Sequence, residues 1–596
     1  TRGRANLLCK WRKMDAALKV LNKVAEDAET TGEDTMRALA GPCKEVNNIT
    51  NNGIPRYELG LQALMAGLKR IYDQLTEITI SRADQSKESK RNRIYAENSD
   101  ATKGYSKLFR QLRANQAPPC SLLRIGDELT GNMGKIHDEF ATRWEGVYNR
   151  LRDNPPNYEN FVQRYGKYLK CTEAGNRLPN AKELHEAARR SKGTAAGIDG
   201  WLPAEVALLP LAAWEKRAAH LKIVAHNGKW PEAYHHVVSP CLRKMDKLDP
   251  DASRSVPTVL DHRLLSIYTQ LYRIEASAWC RNHNNWLCEN VHSKCFGGMQ
   301  GKECLEASWE AQAELERAAN DDQLLVVCLL DYHKFFDSFD PRFYAKMLED
   351  MGVHQNFATL FLDINTNAKR RIKIGNTYGR ELNTYNGIGQ GDPKSLFVAL
   401  LYITVQFRLL DDEHPEITKG AVVDDRNLRG KPETMESALK CTFQFDEAAG
   451  HLTNPKKWGL TGANKSAKSW CEQYEFKGER PTVHTRHILV GDVLTANGTG
   501  NNSLANKRAA HAIRGAVIAS RAQADASARR YALKALAIPR LLPSTVWTRP
   551  AAAALIKLRT LMTDTIMGRH RQLRCPEVVM AILGDPISED PWGAML

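Results

Sequence analysis

An α+β fold is predicted for this 596-residue chain by two observations. Apolar residues recur at helical spacing near both ends, and between them short β-type runs alternate with helical stretches. Residues 1–185 read as a mainly helical extension. In 57-YELGLQALMAGLKRIYDQL-75, Leu61, Leu64, Met65, Leu68, Ile71, Tyr72 and Leu75 share one helical face, and Phe140, Trp144, Val147, Tyr148 and Leu151 form a second. Between them, 87-KESKRNRIYAENSDATKGYSKLFRQLR-113 interleaves Tyr95, Tyr105 and Phe109 with many Lys and Arg. That pairing suits a nucleic-acid backbone and its bases, although a solvated helix face is the simpler reading of the segment taken alone. The Pro pair in 153-DNPPN-157 marks a loop.

From about 186 to 495 the β-type runs are 324-LLVVCLL-330, 371-RIKIG-375, 421-AVV-423 and 488-ILVGDVL-494. Beyond 500 helix returns. There Lys507, Arg514 and Arg521 stand seven residues apart and form a slowly drifting basic stripe, with Ile513, Val517 and Ile518 as a small apolar face.

Composition narrows the partners. The hydrophobic share of 42% permits a sizeable core, and the formal charge of +15 suits a polyanion, nucleic acid first, as evenly as it suits a merely soluble basic protein. The 13 cysteines are scattered and odd in number, which fits reduced thiols in an intracellular protein. No apolar run approaches the roughly 18 residues that span a bilayer, so no membrane partner is expected. The chain begins Thr-Arg rather than Met and is expected to be a fragment of a longer polypeptide.

The chemistry concentrates where strands end in acid. In 324-LLVVCLLDYHKFFDSFDP-341 seven apolar residues give way to Asp331, Asp337 and Asp340. In 420-GAVVDDRNLRG-430, β-formers precede Asp424 and Asp425, which reads as a hairpin with both carboxylates at its tip. Asp331 and Asp424 side by side at one sheet edge would repel each other unless cations lay between them. Two Mg²⁺ ions about 4 Å apart can bind an attacking 3′-hydroxyl and a leaving pyrophosphate together. Between the acids lies 387-GIGQGDPKSLFVALLYITV-405, a glycine-rich turn before an apolar helix.

Taken in order, these motifs resemble the reverse transcriptases of non-LTR (LINE-like) retrotransposons from about residue 192 to at least 494. Asp331–Asp337 is similar to D-x-x-x-A-F-D, Gly387–Ser395 to G-x-x-Q-G-x-P-x-S, and Val422–Asp425 to the F/Y-A-D-D box. The stretch 449-AGHLTNPKKWGL-460 matches A-G-L-x-L-N-x-x-K at Ala449, Gly450, Asn454 and Lys457, and 488-ILVGD-492 resembles the strand that grips a primer. Upstream, 195-AAGIDGW-201 resembles the opening of the fingers, 263-RLLSIYTQLYRIEAS-277 matches R-P-I-S-x-x-x-x-x-Y-R at Arg263, Ser266, Tyr272 and Arg273, and 296-FGGMQGKE-303 stands at G-F-R-x-G-R.

The resemblance implies an RNA-directed DNA polymerase with an α+β right-hand architecture and an N-terminal mainly helical extension. Fingers would span 186–320, the palm 321–480, and the primer grip with a helical thumb 481–596. Asp331 and Asp424 would be the main ligands of two Mg²⁺ ions (Mn²⁺ as an alternative), with Asp425 supporting and the Tyr332 carbonyl completing a shell. Phe336 would crowd a ribose 2′-hydroxyl. Gln390 and Gly391 would line the nucleotide pocket, Arg263 and Lys302 would face the triphosphate, and Lys457 would protonate leaving pyrophosphate. Asp337 and Asp340 would keep structural roles at the following helix start. Lys507, Arg514 and Arg521 would face the template–primer duplex. The implied partners are an RNA template, a DNA primer or target and deoxynucleoside triphosphates, and the implied location is the nucleus.

Four departures stand out. Phe335 replaces a small residue and is expected to tighten the nucleotide pocket; Val422 replaces an aromatic, Leu264 a proline and Lys394 a leucine. They leave open a catalytically decayed nucleic-acid-binding protein, against which Asp331, Gln390, Asp424, Asp425 and Lys457 argue together. A group II intron maturase-like enzyme is disfavoured by the lack of a recognisable cysteine/histidine region near the C-terminus. A zinc knuckle in 280-CRNHNNWLCENVHSKC-295 is disfavoured because Cys280, His283, Cys288, His292 and Cys295 follow no standard four-ligand spacing.

Overall fold

The computed structural model describes residues 88–100, 122–243, 256–453, 455–496, 503–542 and 548–567, with isolated positions elsewhere. The apolar face at 57–75 and Phe109 lie outside the described residues, as does Asn454. The described residues form two compact units. One holds those of Thr1–Arg113, Ile513–Ile538 and Leu558–Asp590; the other holds those of Ala114–Ala512, Pro539–Lys557 and Pro591–Leu596.

In the first unit, segments far apart in sequence meet. The Asn98 side-chain amide donates to the Gln523 carbonyl (3.1 Å), the Asp525 N–H donates to Ser99 Oγ (2.8 Å), and the Tyr105 and Tyr531 rings lie 5.1 Å apart. Asp525 also caps the helix Ala526–Leu536 by accepting from the Ala528 N–H.

The second unit is α+β. A hairpin of β1 (Leu123–Ile125) and β2 (Glu128–Thr130) leads into α1 (Met133–Tyr148), which the Asn132 side chain caps. Phe140, Trp144 and Tyr148 are buried along one side of α1. β3 (His236–Arg243), β4 (His262–Leu264), β6 (Lys369–Ile374) and β7 (Thr377–Leu382) make a four-stranded sheet in the order β4-β3-β6-β7. After β4 comes α2 (Gln270–Asn282).

The sheet that presents the acids has five strands. β5 (Val326–Leu330) lies at its centre, in the order β11-β10-β5-β9-β8, with β8 (Thr418–Val422), β9 (Asp425–Gly430), β10 (Gly459–Gly462) and β11 (Thr482–Val483). All five residues of β5 are buried, as a strand covered on both faces requires. Three helices are interspersed with the sheet's strands in the chain: α3 (Pro341–Asp350) after β5, α4 (Pro393–Glu413) before β8, and α5 (Pro432–Ala448) after β9. Asp340 caps α3 by accepting from the Arg342 N–H, and Asp392 caps α4 at the Lys394 N–H. A last hairpin joins β12 (His487–Leu489) to β13 (Asp492–Leu494), and α6 spans Ser503–Ser520.

Two expectations change. α4 is long and apolar enough to cross a membrane, although no run of that kind stands out in the sequence. Its apolar window is 83% buried, so here it serves as a core helix. On α6 the apolar face of Ile513, Val517 and Ile518 stays partly or fully exposed, and the buried apolar residues are Ala505, Ala509, Ala512, Ala516 and Ala519. Small side chains at helical spacing permit close backbone approach, and a hydropathy scan weighted to large residues passes over them.

Candidate active site

The antiparallel register of β5 and β9 brings the acids together. Leu330 pairs with Arg426, so one step further sets Asp331 opposite Asp425. β8 and β9 form a tight hairpin in which Val422 pairs with Asp425, leaving Val423 and Asp424 as its two-residue turn. Residues alternate across the sheet, and the alternation separates two chemistries. Asp424 and Asp425 are exposed and Asp331 is half-exposed, whereas Tyr332 and Arg426 point inward. The Arg426 guanidinium lies over the Tyr332 ring at 3.8 Å.

The three carboxylates repel one another. Desolvation, then the charges of Asp424 and Asp331, push the Asp425 carboxyl up to about 6. The Asp424 carboxyl is raised by desolvation and by Asp331, with Arg263 on β4 drawing both back down. Exposed side chains that are nevertheless desolvated describe a concave setting open to solvent, where protein surrounds the carboxyl groups without covering them. Crowded oxygens with raised pKa values are a donor set that hard divalent cations relieve, so these residues fit Mg²⁺. Lys457 Nζ lies 3.3 Å from Asp331 Oδ2.

Beneath the acids lies a buried polar layer that the sequence did not announce. Asp446 Oδ1 accepts from the hydroxyls of Tyr332 (2.9 Å) and Tyr402 (2.6 Å) and from the Gln406 amide (2.8 Å), while Oδ2 pairs with Arg426 at 3.0 Å. A buried ion pair is tolerable only when its remaining hydrogen-bonding capacity is met, and this one is met on both oxygens. His451 sits among Tyr332, Phe335, Phe339, Tyr344 and Tyr402, and the Tyr344 hydroxyl bonds its Nε2 at 2.7 Å. Burial holds this imidazole well below its usual pKa, so it is neutral. Phe335 fills the core against His451, and its side chain is 3% exposed.

The glycine-rich loop is tied to this edge by its backbone. Gly387 and Ile388 donate to the carbonyls of Phe339 and Phe336, and the Gln390 carbonyl accepts from the Ser266 N–H at 2.7 Å. The last bond joins the loop to the segment that carries Arg263. Side chains would not fit here: a Cβ on Gly389 would come within 2.5 Å of the Tyr268 hydroxyl, and one on Gly391 within 2.9 Å of the Ser266 carbonyl. Gln390 is half-buried beside exposed Gly391, and Phe336 is half-buried in a short 3-10 turn. Below the loop, buried Arg370 donates to the Gly387 carbonyl (2.8 Å) and lies over the Tyr148 ring. Asp337 is buried here, its charge facing Tyr148 and Arg370.

Asp331, Tyr332, Arg263, Asp424, Asp425 and Lys457 thus gather at one edge, and backbone bonds to Phe336 and Ser266 tie the loop of Gln390 and Gly391 to the segments that carry Asp331 and Arg263. Lys302 does not join them as a free cation. Its ammonium donates to the carbonyls of Ser293 and Cys295 (3.2 Å to the latter) and lies over the Phe296 ring. It holds the segment that borders β8, where Phe296 N–H donates to the Ala421 carbonyl. Lys507, Arg514 and Arg521 are exposed, Arg521 one position beyond the end of α6. Leu264 is buried in β4, and Val422 packs with Phe296 and Ala307.

The chain matches no protein-family model and no curated protein. The two histidines of the disfavoured zinc reading have other partners. Both ring nitrogens of His283 meet backbone carbonyls, and His292 bonds Asp411 at 2.8 Å.

Arg150 and His333 belong to the site without any signal in the sequence. Arg150 donates to the Gly450 carbonyl (2.5 Å) and the His333 N–H to the Leu452 carbonyl (2.8 Å), so two bonds hold the loop that carries Lys457. The His333 imidazole is held below its usual pKa by desolvation and by Lys457, Lys334 and Arg150. A patch of positive charge therefore adjoins Asp331.

Proposed function

We propose that the chain is an RNA-directed DNA polymerase of the non-LTR retrotransposon type, with its fingers, palm and thumb in the order the sequence motifs imply. The observation that carries this reading is the β5–β9 register, which sets Asp331 opposite Asp425 beside Asp424. Asp331 and Asp424, with Asp425, would hold two Mg²⁺ ions, which would supply charge neutralisation for nucleotidyl transfer. The Gln390–Gly391 backbone and Arg263 would orient a deoxynucleoside triphosphate, and Phe336 would stand against its sugar. The primer 3′-hydroxyl would lose its proton to solvent as its oxygen bonds to the α-phosphorus and the bond to pyrophosphate breaks, and Lys457 would pass its own proton to the departing pyrophosphate.

Primer extension on an RNA template with a DNA primer, deoxynucleotides and Mg²⁺ tests this. Asp424→Ala should cost at least about a thousandfold in rate, the equivalent of several kcal/mol of lost charge stabilisation, with RNA binding retained. If wild type and Asp424→Ala extend equally poorly while both bind RNA, the chain is a nucleic-acid scaffold instead.

A further inference from the structure

At the far end of α4 from the glycine-rich loop, three side chains of different chemistry converge. Glu413 is the last residue of α4, His414 is its C-cap, and Cys441 lies on α5. Their ligand atoms all lie within 4.8 Å of one another. The Cys441 thiol donates to Glu413 Oε2 at 3.4 Å, and Ser437, one turn before Cys441, places its hydroxyl 3.5 Å from His414 Nδ1. Cys441 is buried, His414 half-buried and Glu413 exposed, so the cluster opens to solvent on one side.

We propose that Glu413, His414 and Cys441 form a zinc site that joins the end of α4 to α5. One thiolate, one imidazole and one carboxylate match the borderline softness of Zn²⁺ better than that of Mg²⁺ or Ca²⁺. Tetrahedral bonds of about 2.0–2.3 Å set ligand atoms roughly 3.3–3.8 Å apart, so the three must close by about 1 Å. Glu413 and His414 lie on the solvent side at a helix end, whereas Cys441 is buried within α5. On binding, the thiol loses its proton to solvent, and the two negative charges balance the ion. Three protein ligands leave a fourth position, which water takes. Arg164, whose charge acts on the thiol, donates to the Gln444 side-chain oxygen at 2.7 Å. The site stands independently of the polymerase reading, since none of its residues touches the carboxylate edge.

The test is titration of chelator-treated, reduced protein with Co²⁺ as the probe. We expect one tightly bound ion per chain with a thiolate-to-cobalt charge-transfer band that Zn²⁺ abolishes by displacement. Cys441→Ser should remove the band, and His414→Ala should weaken binding at least about tenfold. Cys288→Ser and Cys304→Ser, which alter exposed thiols elsewhere, should change nothing. A wild-type protein without the band, or a band that survives in Cys441→Ser, overturns the proposal. Should Cys441→Ser fail to fold, His414→Ala decides alone: unchanged Co²⁺ affinity overturns the site, and a tenfold loss supports it.

Discussion

Single residues here carry strain and charge that their neighbours compensate. Val423 holds φ at +59° in the two-residue turn that carries Asp424, a conformation in which a β-branched residue is a rare outlier. A turn of this kind favours Asn or Gly, and left-handed backbone at such a residue costs about 1–3 kcal/mol. Gly297 presses against the same turn, and a Cβ there would lie 2.9 Å from Val423 Cγ2. Val423→Asn should therefore raise stability in urea by about 1 kcal/mol; a loss would mean that side-chain packing, and not backbone strain, dominates the turn. Lys394 is the second case. It is fully buried among Trp230, Trp279 and Phe357, its ammonium 4.2 to 5.5 Å from their ring centres. Desolvation lowers it to about 8, with Cys280 and Asp392 opposing. Its folded pKa lies below its unfolded value of 10.5, so the folded state releases the proton first and stability rises between pH 8 and 10.5. Below pH 8 the penalty is complete, up to about 3 kcal/mol before the cation–π contacts offset part of it. Lys394→Met should stabilise the protein at pH 7 by about 1–2 kcal/mol and flatten the rise measured by melting between pH 8 and 10.5.

Elements show which features of a sequence are legible and why. β5 and the β8–β9 hairpin can be read directly, because an apolar run ending in acid and a pair of carboxylates in a turn are local patterns. The aspartate edge follows from them once the strands are known to be antiparallel. The layer below it cannot be read in this way. Arg370, Arg426, Asp446 and His451 are polar residues in mixed segments, and only tertiary contact turns them into core. The same holds for Arg150, which reaches Gly450 across 300 residues of sequence. The β12–β13 hairpin gives an element-level test. His487 lies so close to β10 that a Cβ on Gly459 would overlap its ring at 1.6 Å. Gly459→Ala should cost at least about 2 kcal/mol through overpacking, and Gly459→Ala with His487→Ala should recover most of it. If the double variant is no better than the single one, the glycine serves the strand and not the hairpin.

For the whole molecule the dominant fact is charge, and its excess of +15 has to be located before it explains anything. Many cations are already matched on the surface: Arg380 pairs with Glu145, Lys167 with Asp412 and Lys369 with Glu232. Lys507, Arg514 and Arg521 differ in arrangement, being exposed at a constant interval of seven residues. Seven residues of α-helix advance about 10 Å and drift only about 20° around the axis, so Lys507 and Arg514 share one side of α6, with Arg521 following just past its end. If this stripe meets phosphates, each cation releases a counterion on binding. Replacing all three by Gln should then weaken template–primer binding and reduce the slope of log affinity against log salt by up to about 2.7 on a duplex. The change should be independent of base sequence, because phosphate contacts position a nucleic acid without reading it. Fluorescence anisotropy across a salt series measures both quantities. An unaltered slope would assign the charge excess elsewhere and leave α6 as a helix whose basic side faces only water.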